Sequence, residues 1–386
     1  MIIKLIFALT ISGWIYWLVA YGFTRSFFHH PQPVHPGFTP PVSILKPVKG
    51  LDPEAYENFA SFCRQDYPTF EILFGVPDPS DPAVGVITRL KRDFPQCKII
   101  LVVENVNQPN RKAGMLHVLS GYARYDVLVA SDSDMRVTPD YLQRVVSPLE
   151  DPDTGLVTCP YRGKKPVTFT ARLEALYMGV SFLPHVMMGR QVLEMGFAMG
   201  STVALTKRSL EKIGGFAAIT DYLADDYEIG ARIRKTGLRV HLSDYIVTSI
   251  LGPTSFREQW NREVRWAHCN RVSRPLEYPG LIFTFSTPLA GLLLLATGFA
   301  SWAWLVFLFS LLLRWVEGWA VTRLTCDETS RRWLIWLPVR DMLSALVWCS
   351  GLFGRKVVWR GEQFRLTDDG RLEFMEAVPS GRKWTW

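Results

Sequence analysis

Two aspartates separated by one residue follow a short apolar run in the first half of the chain. They lie in Ser131-Asp132-Ser133-Asp134, directly after residues 127–130. Alternate residues of an extended chain share a face, so Asp132 and Asp134 can project together from a strand end. Such a pair can hold Mg²⁺ or Mn²⁺, with a diphosphate filling the other metal positions. An isolated Asp-x-Asp is more often a turn, but its place after a buried strand favours the metal site.

A second acidic group, Asp225, Asp226 and Glu228, precedes a segment of helical character at 229–234. One interpretation is that the acids complement the dipole at a helix N-terminus. The other is that paired carboxylates near a metal raise one pKa by repulsion and so create a general base. The sequence leaves both interpretations open.

A third group of polar residues is basic and lies just before the last third of the chain. Arg262 and Arg265 are three residues apart and share a helix face, with Trp266 beside them. Guanidinium groups bind phosphate oxygens in pairs, which suits a diphosphate leaving group. A basic helix that contacts lipid headgroups would carry the same pattern, and the sequence does not separate the two.

The first segment that must position these residues is an N-terminal membrane anchor. Residues 2–23 are apolar except for Lys4, and the run is long enough to span a bilayer. A cleaved signal peptide would need a shorter apolar core and a small-residue cleavage site, whereas Arg25 and bulky residues follow here. We therefore expect an uncleaved anchor, followed by a stiff proline-rich linker that includes residues 31–41.

The globular part of the chain alternates short apolar runs with helical patterns. Helical spacing occurs at 56–64 and 84–94, and the β-rich runs lie at 42–46, 72–76, 99–103, 127–130 and 156–159. Strands alternating with helices predict an α/β domain with a mainly parallel sheet. Ligands of such domains bind at the carboxyl ends of the strands.

The C-terminal part of the chain is predicted to return to the membrane. Residues 281–319 carry no charge before Arg314, which predicts two spanning helices with a turn near 300–302. The next apolar stretch, 333–353, contains Arg340 and Asp341, so it is a packed span or an interfacial element. The basic tail after Gly354 should be cytosolic, which favours the interfacial interpretation.

The predicted organisation is therefore an anchor at 1–24, a linker at 25–41, a catalytic domain at 42–277, a membrane region at 278–353 and a basic tail at 354–386. Residues 173–200 do not fit this division simply, because they are apolar and rich in methionine yet lie inside the globular part. They predict either a core helix or an amphipathic helix lying on the bilayer, where a lipid acceptor could enter.

The composition limits the classes of partner. The chain has 386 residues, 48% of them hydrophobic, and a net charge of +7. The basic residues are dispersed among apolar, tryptophan-rich stretches, so a face on anionic lipid explains the charge better than nucleic acid does. Six scattered cysteines without a CxxC pair indicate reduced thiols facing a cytosol.

Taken in order, the motifs resemble those of the ceramide glucosyltransferase family, glycosyltransferase family 21. The resemblance covers nearly the whole chain. It implies a GT-A-type (Rossmann-like) glycosyltransferase domain with transmembrane helices at both ends. The strings that carry it are Ser43-Ile44-Leu45-Lys46-Pro47-Val48-Lys49-Gly50, Gln65-Asp66-Tyr67-Pro68, Asp78 followed by Asp81-Pro82-Ala83, Asp132-Ser133-Asp134, Ala224-Asp225-Asp226-Tyr227 and Arg262-Glu263-Val264-Arg265-Trp266.

The resemblance implies a donor site for a UDP-sugar with Mn²⁺ or Mg²⁺. Asp78 resembles the aspartate that contacts uracil and ribose, and Lys112 the lysine near the nucleotide. Asp132 and Asp134 look like the metal and diphosphate site. Some ceramide enzymes lack the second acid, which makes Asp134 the less essential of the two.

The resemblance also implies the reacting groups of an inverting single displacement. Asp226 looks like the base that deprotonates the acceptor hydroxyl. Arg262, Arg265 and Trp266 look like the motif that closes over the diphosphate and acceptor. The implied partners are a UDP-sugar, a membrane lipid and the bilayer, with the catalytic domain on the cytosolic face of the inner (cytoplasmic) membrane.

Several strings resemble the bacterial hopanoid-biosynthesis branch of this family more than the animal ceramide enzymes. That branch implies transfer of N-acetylglucosamine from UDP-GlcNAc to a bacteriohopane polyol; the alternative is transfer of glucose from UDP-glucose to ceramide. A polysaccharide synthase would need more spans, and a nucleotide-binding receptor would not need Asp226. The strings are Ser61-Phe62-Cys63, Phe74-Gly75-Val76, Val157-Thr158-Cys159-Pro160-Tyr161-Arg162-Gly163 and Gly214-Gly215-Phe216-Ala217-Ala218.

Overall fold

The computed structural model describes residues 1–192, 195–359 and 362–375. The α-helices are α1 (Ile2–His29), α2 (Ala55–Cys63), α3 (Ala83–Asp93), α4 (Arg111–Tyr122), α5 (Tyr141–Val146), α6 (Phe169–Tyr177), α7 (Leu183–Val192), α8 (Lys207–Lys212), α9 (Asp225–Lys235), α10 (Phe256–Ser273), α11 (Ser286–Ala296), α12 (Ser301–Leu324), α13 (Glu328–Arg332) and α14 (Leu337–Gly351). Short 3₁₀ helices lie at Ser147–Glu150, Phe216–Ile219, Tyr278–Thr284 and Leu334–Trp336, and a π-helical turn at Met178–Phe182.

The strands form one large and two small sheets. They are β1 (Val42–Pro47), β2 (Phe70–Val76), β3 (Lys98–Val103), β4 (Val127–Ser131), β5 (Met135–Arg136), β6 (Thr154–Thr158), β7 (Tyr161–Lys164), β8 (Thr202–Thr206), β9 (Arg239–Leu242), β10 (Val247–Ile250), β11 (Lys356–Trp359), β12 (Glu362–Leu366) and β13 (Leu372–Phe374). The seven-stranded sheet has the order β3-β2-β1-β4-β8-β6-β9, and the small sheets are β5-β10-β7 and β11-β12-β13.

The large sheet confirms the predicted α/β class. Strand β1 pairs in parallel with both β2 and β4, so Val42 lies opposite Phe70 and Val127. Only β8 runs antiparallel to its neighbours in this sheet. Every residue of β4 is buried, which explains its continuous apolar run, because helices cover both faces of a parallel sheet. The carboxyl end of β4 therefore delivers the Asp132–Asp134 segment to the edge where ligands bind.

The N-terminal helix is longer than the predicted anchor. It continues through His29, so residues 25–29 belong to the helix and not to the linker. Together with Ser301–Leu324, it is one of two described helices long and apolar enough to cross a membrane. It packs against α7, α11 and α12, so the two ends of the chain meet in one helical layer.

The apolar stretch after residue 281 forms two helices, of which only α12 is long enough by itself to be one of the two predicted spanning helices. Helix α11 has 11 residues and follows a 3₁₀ helix bent from it by 71°. The turn between α11 and α12 occurs at 297–300, next to the predicted position. A third crossing therefore depends on the bent pair Tyr278–Thr284 and Ser286–Ala296 acting as one span.

The charged residues of the last apolar stretch are buried and paired. Arg314 of α12 donates to Asp341 of α14 with an Nε–Oδ2 distance of 3.2 Å, and Thr287 of α11 donates to the same oxygen at 3.0 Å. The Arg314 guanidinium lies 3.5 Å from the centroid of a Trp17 ring. These contacts join four helices and explain how the charges are accommodated among apolar segments.

Residues 173–192 lie between the globular and the helical layers. The chain there forms α6, the π turn and α7, with Leu173, Leu176 and Val180 packed against the 3₁₀ helix at Tyr278–Thr284 and against α14. Helix α7 contacts α1. The segment therefore packs on both layers, and Leu193 and Glu194 of the predicted 173–200 segment lie outside the described residues.

The tail after Gly354 is folded along its described part. Strands β11–β13 form an antiparallel sheet whose apolar face packs on Leu223, just before α9. The residues that pack there are Val357, Phe364, Leu366 and Leu372. The described part of the predicted basic tail therefore forms a small sheet next to the Asp225-Asp226 segment.

Candidate active site

The predicted Asp-x-Asp pair stands at the end of β4 in a large cavity. The Asp134 carboxylate accepts a hydrogen bond of 2.6 Å from the Ser249 hydroxyl, and its backbone oxygen accepts one of 3.1 Å from Ile250. Burial and the neighbouring charge of Asp132 raise the pKa of Asp134 to about 6. Two carboxylates that repel each other in a buried site are a suitable place for a divalent cation, because the cation would relieve that repulsion.

The metal would need ligands beyond these two carboxylates. Within the described residues, no group of three or more His, Cys, Asp or Glu side chains is arranged to hold a metal ion. Asp132 and Asp134 therefore fit Mn²⁺ or Mg²⁺ only if a bound substrate supplies further oxygen ligands, as a diphosphate does.

Lys112 lies against the first of these aspartates. Asn110 caps helix α4 by accepting from the Ala113 amide at 3.0 Å, which brings Lys112 in the first turn into the cavity. Its Nζ is 2.6 Å from Asp132 Oδ1 and 3.9 Å from Asp225 Oδ2. Burial acts to lower the pKa of Lys112, but the surrounding carboxylates raise it above its usual range. The lysine is therefore a fixed cation of the site.

Asp226 faces the same point from the N-terminus of α9. Its Oδ2 accepts from the Gly200 amide at 2.9 Å, and its Oδ1 accepts from the Tyr227 amide at 2.8 Å. Burial, followed by the charge of Asp225, raises the pKa of Asp226 to about 6. A carboxylate with this pKa is ionised at neutral pH and can still accept a proton, as a general base must.

Gly200 shows how closely the predicted groups converge. A Cβ atom built on this glycine would lie 2.9 Å from Lys112 Nζ, 3.4 Å from Asp226 Oδ2 and 3.8 Å from Asp132 Oδ2. Three of the residues singled out from the sequence thus surround one backbone position. A side chain at Gly200 would occupy the space between the lysine and the two carboxylates.

The basic motif lies on α10, which begins with a capping box formed by Ser255 and Glu258. Arg262 pairs with the buried Glu174 at 2.5 Å. The Arg265 guanidinium lies 5.1 Å from the ring centroid of Trp359, in the C-terminal sheet. Trp266 stacks on Tyr177 with ring centroids 6.4 Å apart. All three motif residues line the cavity that contains Asp132 and Asp226.

Asp78 is the one predicted residue set apart from the others. Its carboxylate is exposed and accepts hydrogen bonds from the Ser80 amide, at 2.8 Å, and from the Ser80 hydroxyl. These bonds hold the pKa of Asp78 below its usual range. Pro77 lines the cavity but Asp78 is not among the lining residues. The seven other predicted residues, Lys112, Asp132, Asp134, Asp226, Arg262, Arg265 and Trp266, share the cavity wall.

Lys46 lies near the site, and no role was predicted for it. It is fully buried at the end of β1, where its Nζ donates to the Asp132 carbonyl oxygen at 2.8 Å and lies 3.6 Å from the centroid of a Phe62 ring. Burial lowers the pKa of Lys46 to about 7. In the sequence, Lys46 is a single lysine inside an apolar strand. Burial of a lysine side chain is costly unless its ammonium group is paired, so this position could have been singled out.

The cavity extends from these polar groups to the helical layer. Its volume is about 1430 Å³. It is lined by Asp132, Asp134 and Asp226, and also by Tyr16 of α1 and Phe285 before α11. A polar, charged site and an apolar surface beside potential membrane spans are thus continuous.

Comparison with known proteins assigns the chain to a family. The family model described as glycosyl transferase family 21 matches residues 5–372, which is most of the chain. The chain belongs to this family. It is therefore a glycosyltransferase, and the resemblance seen in the sequence is confirmed at the level of the family.

Two relatives of this family 21 glycosyltransferase illustrate the distance to known members. Ceramide glucosyltransferase 1 of Caenorhabditis elegans is 27% identical over 375 residues, which cover 92% of this chain and 78% of the relative. The ceramide glucosyltransferase of Komagataella phaffii is 24% identical over 424 residues, covering 85% and 82% of the two chains.

A solved structure shares the fold. The mannosyltransferase PcManGT of Pyrobaculum calidifontis, solved in complex with GDP-Man and Mn²⁺, matches with a TM-score of 0.53 and 20% identity. The match covers 90% of this chain and 98% of the mannosyltransferase. The family 21 chain therefore has the predicted GT-A-type fold, with apolar helices at its N-terminus and near residues 301–324.

Proposed function

We propose that this chain is an inverting, metal-dependent glycosyltransferase that moves a sugar from a UDP-sugar to a hydroxyl of a membrane lipid. The observation that carries the proposal is the continuous cavity between the Asp132–Asp134–Asp226 site and the helical layer. A UDP-sugar donor is charged, whereas a lipid acceptor is largely apolar. A site that binds both must therefore connect a polar environment with an apolar one. The names of the relatives, which are ceramide glucosyltransferases, support a lipid acceptor.

The donor would bind at the polar end of the cavity. Asp132 and Asp134 would hold Mn²⁺ or Mg²⁺, which when bound offsets the charge of the diphosphate. Lys112, Arg262 and Arg265 line the same region and would stabilise the leaving diphosphate through charge-assisted hydrogen bonds. Asp78, next to the cavity-lining Pro77, would contact the uracil and ribose.

The transfer itself would be a single displacement. Asp226 takes the proton of the acceptor hydroxyl as the oxygen attacks the anomeric carbon. The bond from that carbon to the diphosphate oxygen breaks, UDP leaves with the electron pair, and the anomeric configuration inverts. The two backbone amides that bind Asp226, from Gly200 and Tyr227, fix the direction of its carboxylate.

The lipid would reach Asp226 along residues 173–200 and the C-terminal helices. Met188 and Val192 of this segment line the cavity, as do Phe283 and Phe285 before α11. Charged substitutions among residues 173–188 are therefore expected to abolish lipid turnover while donor binding survives. Intact lipid turnover in such a folded variant would eliminate this route.

The division of the chain belongs to the same proposal. Residues 42–277 form the catalytic domain, with the anchor before it and the membrane region 278–353 after it. The domain faces the cytosol of the inner (cytoplasmic) membrane, where nucleotide sugars are made. The orientation is testable by labelling single cysteines placed in the globular part and between α11 and α12 in intact cells and in inverted vesicles.

Two pairs of donor and acceptor are candidates. We favour N-acetylglucosamine transfer from UDP-GlcNAc to a bacteriohopane polyol, because of the strings that resemble the hopanoid branch. Glucose transfer from UDP-glucose to ceramide is the second candidate, and the names of the relatives favour it.

The deciding experiment is label transfer by detergent-purified protein. UDP-glucose and UDP-N-acetylglucosamine would each be offered with ceramide and bacteriohopanetetrol, with Mn²⁺ or Mg²⁺. Labelled N-acetylglucosamine on the hopanoid supports the first candidate, and glucose on ceramide supports the second. Labelled polymer would indicate a polysaccharide synthase, and no labelled lipid from protein that binds UDP would refute both acceptors.

A further inference from the structure

Glu174 is a buried carboxylate in the cavity wall to which the proposed transfer gives no role. It lies on α6, and its Oε2 accepts a hydrogen bond from Nη2 of Arg262 at 2.5 Å. The two residues lie 88 positions apart in the chain and on different helices. Helix α6 thus contacts the basic motif of α10 through a charged hydrogen bond inside the cavity.

Stability alone does not explain this pair. Burial raises the pKa of Glu174 to about 7, against the effect of the Arg262 charge, which shows that the carboxylate is poorly solvated there. For a buried ion pair, the loss of hydration largely cancels the mutual attraction, and apolar replacements are often neutral or stabilising. What the carboxylate provides, and an apolar side chain would not, is a fixed direction for the guanidinium.

Arg262 needs such a contact because its side chain is long and partly exposed in the cavity. An arginine without a fixed partner samples many rotamers, and ordering them has an entropic cost. The ring of Trp266, with its centroid 6.0 Å from the guanidinium, is a second and weaker contact. The charged hydrogen bond to Glu174 therefore fixes the guanidinium before a donor binds.

The pair also lies close to the place where the diphosphate would bind. The charge of Asp134 acts on the Glu174 carboxylate, and Arg262 lines the same cavity as Asp132 and Asp134. A guanidinium has several N–H groups, so the bond to Glu174 leaves others for phosphate oxygens. A hydrogen-bond donor that is oriented in advance needs no reorganisation when charge develops on a leaving group.

We propose that Glu174 is a positioning residue that holds the Arg262 guanidinium toward the β-phosphate of the leaving UDP. This proposal rests on the proposed function, in which Arg262 stabilises that diphosphate. In this role Glu174 acts through Arg262 and need not touch the substrate. When the bond from the anomeric carbon to the diphosphate oxygen breaks, the electron pair stays on the β-phosphate, so the oriented guanidinium binds the leaving UDP more tightly than the intact donor.

Binding of UDP and UMP tests the proposal without turnover, since UMP lacks the β-phosphate. Isothermal titrations with Mn²⁺ would compare wild type, Glu174→Leu, Glu174→Gln and Arg262→Gln. We expect wild type to prefer UDP, and Glu174→Leu to lower the ratio of the UMP and UDP dissociation constants by about tenfold, as loss of one charge-assisted hydrogen bond does. Glu174→Gln should keep part of the ratio, because its amide oxygen can still accept from Arg262. With a lipid acceptor that is glycosylated, kcat of Glu174→Leu should fall while KM for the donor changes little.

A double variant shows whether Glu174 acts through Arg262. Glu174→Leu/Arg262→Gln should have the same ratio as Arg262→Gln alone, since Glu174 has no effect without the guanidinium that it orients. Multiplied losses in the double variant would overturn the proposal. So would an equal loss of UDP and UMP affinity in Glu174→Leu, because that result indicates a structural role. If Arg262→Gln does not fold, the comparison of Glu174→Leu with Glu174→Gln decides by itself.

The control is Glu328→Leu, which should leave every value unchanged. Glu328 also pairs with an arginine, Arg331 of α13, but it is not among the residues that line the cavity.

The same titrations separate failure of this proposal from failure of the proposed function. Equal affinities of wild type for UDP and UMP would refute the diphosphate site, and with it the role of Glu174. A wild-type preference for UDP that Glu174→Leu retains in full would refute the role of Glu174 alone. If the wild type glycosylates neither ceramide nor bacteriohopanetetrol, a preference that Glu174→Leu lowers would still support the positioning of Arg262, although the acceptors were wrong.

Discussion

Glu263 and Arg340 form a buried bidentate ion pair, with Nη1–Oε1 and Nη2–Oε2 distances both of 2.7 Å. Glu263 lies on α10 between the two arginines of the site, and Arg340 lies on α14. Gln259 donates to the same carboxylate at 2.8 Å, and the Arg340 guanidinium is 5.0 Å from the centroid of the Tyr177 ring, which itself stacks on Trp266. The helical layer thus holds the basic motif in place through a charged contact.

Loss of one partner of this pair should destabilise the protein strongly. Arg340→Met leaves the Glu263 carboxylate buried and unpaired, which costs about 3–5 kcal/mol of unfolding free energy. The double variant Glu263→Met/Arg340→Met should recover much of that loss. Thermal unfolding in detergent measures both effects, with Arg355→Met as control because its pair with Asp368 is exposed. A similar melting temperature for Arg340→Met and Arg355→Met would contradict the assignment.

Replacement of the proposed base should separate binding from transfer. Asp226→Asn keeps the shape of the side chain but cannot take a proton, so we expect kcat to fall by about 10²–10⁴ while UDP-sugar affinity remains. Glu228→Gln is the matched control, because Glu228 lies in the same helical turn and pairs with Arg232 at 3.1 Å. Unchanged transfer by Asp226→Asn would remove this residue from the mechanism.

The raised pKa of Asp226 predicts the acidic limb of the pH profile. Burial moves this pKa from 3.8 to about 6, so the base becomes protonated below about pH 6, and kcat/KM should fall about tenfold per further pH unit. The effect of pH on the free energy of unfolding has the opposite sign to its effect on kcat/KM. The folded state binds the proton more tightly, so this contribution to stability is lost as the pH rises from about 4 to 6. Asp226→Asn should abolish that loss, which melting temperatures at pH 5 and pH 7 would reveal.

Removal of the divalent metal should stop transfer. Chelation with EDTA is expected to abolish activity, and Mn²⁺ or Mg²⁺ to restore it, since without a cation the carboxylates of Asp132 and Asp134 would repel the diphosphate. Asp132→Asn should reduce kcat by about 10²–10³, as removal of a group that stabilises the transition state does. Isothermal titration of UDP with and without Mn²⁺ gives a readout independent of turnover. Full activity in metal-free protein would rule out this site.

The C-terminal sheet should be needed for catalysis. Leu223 donates to the Gly370 carbonyl oxygen at 3.0 Å, and Leu372 to the Asp221 carbonyl oxygen at 2.6 Å, so the sheet holds the segment just before Asp225. Phe364→Ala removes the buried centre of the sheet, at a cost of about 3–5 kcal/mol of local stability. We expect a lower kcat, whereas the exposed substitution Glu373→Ala should have no effect on the same assay. Normal transfer by Phe364→Ala would show that the sheet is dispensable.

Local patterns in the sequence were enough to predict the α/β domain and several groups that converge in its cavity, whereas Lys112 was predicted only from the family resemblance. Buried parallel strands carry continuous apolar runs, so β1 and β4 were recognisable, and the residues after β4 could be placed at the ligand-binding edge. The spacing of Arg262 and Arg265 likewise placed them on one helix face. Each of these inferences depends on residues that are neighbours in the chain.

Other parts of the site depended on contacts between residues far apart in the chain. Glu263 pairs with Arg340 across 77 positions, and Lys46 bonds to Asp132 across 86. The sheet in the basic tail was not predicted, because its apolar face packs on Leu223, which lies more than 130 positions earlier in the chain. Helix α1 also continues beyond the predicted end of the anchor at residue 24, through Arg25-Ser26-Phe27-Phe28-His29.

The sequence by itself determined which chemical groups this glycosyltransferase possesses and which local elements carry them. The tertiary structure decided which groups meet: Lys112 with Asp132, Asp226 with the Gly200 amide, and Glu174 with Arg262. The physical reason is that periodicity and propensity act over a few residues, whereas burial, pKa and ion pairing depend on everything packed around a group.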